Sequence, residues 1–300
     1  MTNADMSLGS IFKESLDGAR AVIVPSLPWL ALFAFVAGYR AWTSAGLAGS
    51  QASLAVEAGL FLCLLYVGCL FSAVMYKRLL PETGSKLRSI ALRLSLANLL
   101  LYMAVLIILF ILALFLSIFS GVMVGLTDYD PSNADPSEIA SSLAALQESG
   151  TIWPLYILLA ASIAGMVWFA LRMIVFGAAT VAAGKVTVFQ SWAWTKRHVL
   201  KILGLAIVLQ ALVFAVLFAA GEALTNALGV PSTLLLTFER ESTLQFEFGE
   251  AERTLDQIGI GTAIRTFLLA PFWWLGHALA VALYRRLAPE DQAITPASSN

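Results

Sequence analysis

Residues Lys185–Lys201 read KVTVFQSWAWTKRHVLK and lead into Ile202–Leu224, and this stretch decides the fold class. Trp192, Trp194, Lys196, Arg197 and Lys201 lie in a short segment that continues, with no turn signal, into the uncharged run Ile202–Ala220. A basic, tryptophan-bearing ramp feeding a spanning-length apolar helix fits a bilayer surface followed by its interior. The other strongly apolar runs repeat this grammar.

Composition agrees. The chain is 59% hydrophobic and 12% charged, with mean hydropathy +0.84. A soluble domain has about 25% charged residues, so half the usual charge must coat 300 residues, and part of the solvent is lipid. A net charge of −1 argues against nucleic-acid binding. Cys63 and Cys69, both inside one apolar run, read as small buried hydrophobes. Two histidines and no HExxH, GxSxG or P-loop leave no metal site, no cofactor and no nucleophile–base pair to expect.

Outward from the opening stretch, the chain reads as follows. Leu8, Ile11, Phe12, Leu16 and Ala19 share a helical face opposite Lys13, Glu14, Asp17 and Arg20, the pattern of an amphipathic interfacial helix. These charges are unlike a cleavable signal peptide. A first span, Val22–Trp42, has Pro25 and Pro28 at its start to re-aim the chain, and Arg40 at its far end. The second span is Leu54–Tyr76. Lys86, Arg88 and Arg93 form another basic ramp into a third span, Leu96–Leu126, whose Gly121 and Gly125 form a GxxxG for close packing or dimerisation. Residues 127–150 are an acidic loop. A fourth span starts at Trp153 and meets Arg172, which either marks the boundary before a surface-lying Val175–Gly184 or is buried in a longer helix. After the fifth span come a second acidic loop, 230–261, a sixth span, Thr262–Tyr284, and a short polar tail, 287–300.

Positive charge resists translocation, and thirteen of the eighteen basic residues fall on one side if the N-terminus is cytoplasmic. The expected fold is therefore all-α: one polytopic membrane domain over 1–300, six spans, both termini in the cytoplasm of a bacterial inner membrane. Tyr76-Lys77-Arg78-Leu79-Leu80-Pro81-Glu82 matches Tyr284-Arg285-Arg286-Leu287-Ala288-Pro289-Glu290. With a basic ramp before each odd span, the match predicts three units of cytoplasmic amphipathic helix plus hairpin, about 8–80, 87–184 and 187–290.

Arg172-Met173-Ile174-Val175-Phe176, Gly184-Lys185, Ser191-Trp192-Ala193-Trp194-Thr195-Lys196 and Lys201-Ile202-Leu203-Gly204-Leu205 resemble bacterial six-span proteins grouped around the membrane domain found beside some glycerophosphoryl diester phosphodiesterases. The chain departs from that pattern at Ala182-Ala183-Gly184, where an acidic residue is usual, and at Arg197, where a small one is. The resemblance implies the six-span layout and no agreed activity. Only fourteen residues follow Arg286, too few for the catalytic barrel.

The candidate sites are of two kinds. Arg172, Lys185, Trp192, Trp194, Lys196, Arg197 and Lys201 are placed to contact anionic inner-leaflet headgroups, Arg172 otherwise snorkelling. His277, Gln210 and Asn98 are polar groups at membrane depth, read either as a functional site or as interhelical hydrogen bonds. Glu57, Glu222 and Arg265 read as solvated charges at the outer boundary, with pairing between helices as the alternative. The function expected is non-enzymatic: membrane organisation, lipid contact or support of partner proteins. The alternative is a small transporter or channel working through His277 and Arg172.

Overall fold

The computed structural model describes residues 7–47, 53–124, 144, 146–148, 150, 152–228 and 255–288, and among these it is helical with no strand. The long elements are α1 (Leu8–Gly46), α2 (Ser53–Leu79), α3 (Leu87–Val124), α4 (Trp153–Met173), α7 (Val199–Leu228), α8 (Leu255–Leu268) and α9 (Ala270–Leu287). Two short ones, α5 (Phe176–Ala182) and α6 (Gln190–Thr195), lie between α4 and α7. Among the described residues five segments are long and apolar enough to cross a membrane: Leu8–Gly46, Leu54–Leu79, Leu87–Met123, Trp153–Ala182 and Ile258–Leu287. The expected fifth span falls on α7, whose described apolar stretch is Val199–Ala215. Most of the two acidic stretches, and the tail beyond Ala288, fall outside the described residues.

Several boundaries differ from the sequence reading. No surface helix separates from the first span, because α1 runs unbroken for 39 residues, about 58 Å at ~1.5 Å per residue. Pro25 and Pro28 lie inside it on its exposed face, with Ala21 and Val24, whose carbonyls lose their donors to the two rings, also exposed. The second ramp likewise merges with the third span in α3. Conversely, the third ramp is interrupted: Lys196, Arg197 and His198 form a turn between α6 and α7. The last span also breaks, at Leu269, where Pro271 in the first turn of α9 has no N–H for the carbonyl of Phe267. It starts earlier than expected, since α8 begins at Leu255 within the stretch read as loop.

The contacts divide the chain into two compact units, residues 1–97 with 174–300, and residues 98–173. In the first, α1 is the hub and packs along α2, α8 and α9. Its buried residues Ile11, Ser15, Ala19, Val22, Ser26, Leu30, Ala34 and Ala37 recur every three or four positions, and most are small. Small residues let helix backbones approach, which matters where lipid removes the hydrophobic drive for association. The closest approach is Gly38 of α1 against α8: an added Cβ would stand 2.6 Å from the Gly259 carbonyl oxygen and 3.0 Å from Ala263 Cβ. Further along α1, Phe33 meets Phe71 of α2 and Trp273 of α9, with ring centroids 5.4–6.2 Å apart. Gly121, read as half of a packing motif, has open space around it.

In the second unit, no described residue of α3 from Asn98 to Met123, or of α4 before Leu171, is buried. Met123 and Leu155 pack on Leu146 and Ile152 at one end.

Candidate functional site

Charged groups in the first unit collect at two ends. At the end carrying Lys77 and Arg78, α9 closes over α1 and α2. The carboxylate of Glu14 accepts from Arg285 Nη1 at 2.9 Å and from Arg286 Nη1 at 2.6 Å. Arg285 Nη2 also donates to the Leu79 carbonyl at 2.7 Å, supplying an orphan acceptor at the C-terminus of α2. Arg286 donates as well to Ala282 O, at 2.9 Å. Glu14 therefore turns into the protein rather than onto a free polar face, and Leu8 is exposed where Ser15 is buried. At the other end, Arg40 pairs with Glu57 at 3.1 Å, Ser44 Oγ meets the second Glu57 oxygen, and Trp42 Nε1 donates to Asp256 at 3.1 Å. Glu57, read as a solvated charge, forms an interhelical pair with Arg40.

The basic stretch of the opening divides by depth. Lys185, Lys196, Arg197 and Lys201 are exposed, and two large apolar side chains beside them, Phe189 at 63% and Leu200 at 82%, are exposed too. Trp192 and Trp194 are half-buried, and Trp194 turns inward against Tyr284 of α9, ring centroids 5.9 Å apart. Ser191 and Thr195 are fully buried, Thr195 Oγ1 donating to the Ser191 carbonyl at 2.9 Å. The Ser-Trp-x-x-Thr spacing thus serves packing of a short helix more than contact with headgroups. Before it, α5 is buried from Gly177 to Val181 instead of lying on a surface, and Tyr76 Oη occupies the place where a Gly177 Cβ would be. Gly184 ends this passage in the left-handed conformation, φ +63°, with Arg93 Nη1 3.4 Å from where its Cβ would be.

His198, in the turn, has a buried Nδ1 without a hydrogen-bond partner among the described residues. Burial, then the charges of Lys201 and Arg197, push its pKa below the ordinary histidine value.

The polar groups expected at membrane depth do not converge in any described contact. His277 Nδ1 lies 2.7 Å from the Trp273 carbonyl of its own helix, a bond that needs the proton on Nδ1. Its ring sits on Tyr76 of α2, centroids 4.9 Å apart. Gln210 is exposed instead of reaching a neighbouring helix, and Asn98 is half-buried. Arg172 belongs to the second unit. It is 3% exposed and stands over the Trp168 ring, 5.5 Å from its centroid. Of the two cysteines only Cys69 is buried; Cys63 is exposed. No three His, Cys, Asp or Glu side chains come together among the described residues.

Sequence reasoning missed Glu14 as a clamp residue, and Gly38 with Gly259. The Tyr-basic-basic-Leu exits of α2 and α9 are locally alike. Tyr76 and Tyr284 are both buried, and each carbonyl accepts the N–H four residues on, from Leu80 at 2.7 Å and Ala288 at 2.9 Å. No protein-family model, no curated protein and no solved structure matches the chain.

Proposed function

We propose that this chain is a six-span, non-enzymatic inner-membrane protein, both termini cytoplasmic, that gathers anionic lipid of the inner leaflet around the α6–α7 turn. The observation carrying this reading is the exposure, within the one stretch 185–201, of Lys185, Phe189, Lys196, Arg197, Leu200 and Lys201 where an apolar helix begins. Cations hold lipid phosphates while the aromatic and aliphatic groups enter the acyl boundary. The sixth crossing would be α7, whose 30 helical residues exceed the ~20 a hydrocarbon core requires. The likeness of Arg172–Leu205 to six-span proteins supports the same count. Transport through His277 and Arg172 gains no support from this geometry, since His277 is bonded within its own helix and packed on Tyr76.

The test is lipid selectivity in reconstituted vesicles, read by spin-labelled phosphatidylglycerol against phosphatidylcholine. Each neutralised cation near the surface lowers attraction about fivefold. Replacing Lys196 and Arg197 together by Gln should therefore remove most of the preference. An unchanged preference sinks the proposal.

A further inference from the structure

An open cleft of about 400 Å³ lies where the start of α1, the end of α2 and the last turns of α9 meet. Its floor is apolar, formed by Leu79, Ala278 and Val281. At its base Gly18 brings α1 close to α9; a Cβ there would stand 3.1 Å from Ala278 Cβ. Its rim carries Lys13, Glu14 and Asp17 from α1 and Arg285 from α9.

The two cations differ in preparation. Arg285 is fixed in plane by Glu14 Oε1 and the Leu79 carbonyl, while Arg286 takes the other Glu14 oxygen. Lys13 is exposed. Among the described residues, both carboxylates at the mouth are already engaged: Glu14 by Arg285 and Arg286, and Asp17 by Arg20 at 3.8 Å. Two carboxylates line the mouth, but three arginines match them, and Lys13 is left over as a cation for an incoming phosphate. From Lys13 to Gly18, and from Arg285 to Ala278, both helices lead from this charged mouth toward their own apolar runs.

We propose that the cleft holds one anionic glycerophospholipid. Its phosphate sits between Lys13 and Arg285, and the start of its acyl part covers Leu79, Ala278 and Val281. A guanidinium already held in place loses little freedom on taking a phosphate oxygen, and an apolar floor favours an amphiphile over a free anion. The residues are distinct from those of the α6–α7 turn, so either site can fail without the other.

The full chain, stripped of lipid in detergent, is titrated with phosphatidylglycerol, phosphatidylcholine or inorganic phosphate, and bound lipid is counted by native mass spectrometry. One tightly held phosphatidylglycerol is expected, with an affinity about fivefold or more above phosphatidylcholine. Lys13→Gln removes that preference and Lys13→Arg restores it. Ser10→Trp, at an exposed position on the mouth, lowers binding of both lipids, and the Lys196→Gln/Arg197→Gln pair leaves the first phosphatidylglycerol in place. Equal affinity for the two lipids, or binding undiminished by both Lys13→Gln and Ser10→Trp, overturns the proposal. Displacement by excess inorganic phosphate assigns the cleft to a free anion and overturns the lipid.

Discussion

The most apolar of the five spanning segments, Leu87–Met123, has none of its most apolar window buried, while the least apolar, Ile258–Leu287, has half of its window buried. In water the order would be reversed, because apolar surface is what a soluble fold hides. In hydrocarbon, aliphatic surface gains nothing by leaving its solvent, and association falls to close packing and polar links. The helix pair α8–α9 supplies those: Gly259 against Gly38, Trp274 Nε1 donating to Ser26 Oγ at 2.8 Å, and the arginines on Glu14. Beyond Ala97, α3 offers leucines, isoleucines and phenylalanines, and its exposed side chains include Leu106, Ile107 and Phe110. Hydropathy here marks what faces the medium, and small or polar residues mark what faces protein.

The sharpest way to break this contrast is Gly38→Leu. A Cβ 2.6 Å from a backbone oxygen forces α1 and α8 apart, and overpacking of this kind costs about 3 kcal/mol or more. Unfolding in mixed micelles should show the largest loss of any single variant in the bundle. Glu14→Gln comes next. Glu14 and Arg286 side chains are 29% and 19% exposed, so the pair is partly screened, and the loss expected from the same assay is about 1 kcal/mol.

A smaller effect is a pH dependence. His198 binds its proton less readily folded than unfolded, so the unfolded chain takes up more protons as pH falls, and stability is lost as pH drops through about 6.5. Melting temperatures between pH 7.5 and 5.5 should decline less for His198→Gln than for the wild type. Smallest of all is Leu106→Ala on the exposed face of α3, expected within about 0.5 kcal/mol. A loss of 2–5 kcal/mol, usual for a leucine in a packed core, would show that this face is covered by protein.

How far the sequence could be read follows the same division. The long apolar runs were visible because bilayer thickness sets a length and a composition, and α3 needs nothing more. Helix breaks were less visible. The turn at Lys196–His198 contains neither Gly nor Pro, whereas Pro25 and Pro28 looked like a boundary yet stand on an exposed face that tolerates them. The site was the least legible part. Glu14 scans as one more polar residue on an amphipathic helix, and only the fold brings it to Arg285 and Arg286. Gly38 and Gly259 each belong to a small-xxx-small spacing, Ala34 with Gly38 and Gly259 with Ala263, but neither spacing names its partner helix. His277, a lone ionisable group in an apolar run, was conspicuous, and its own helix uses it locally.

The bond from Arg285 to the Leu79 carbonyl has a biosynthetic consequence. Until α9 has been made and docked, the Leu79 carbonyl and the Glu14 carboxylate lack their arginine partners. The end of the α1–α2 hairpin is thus locked by a helix 206 residues further along the chain.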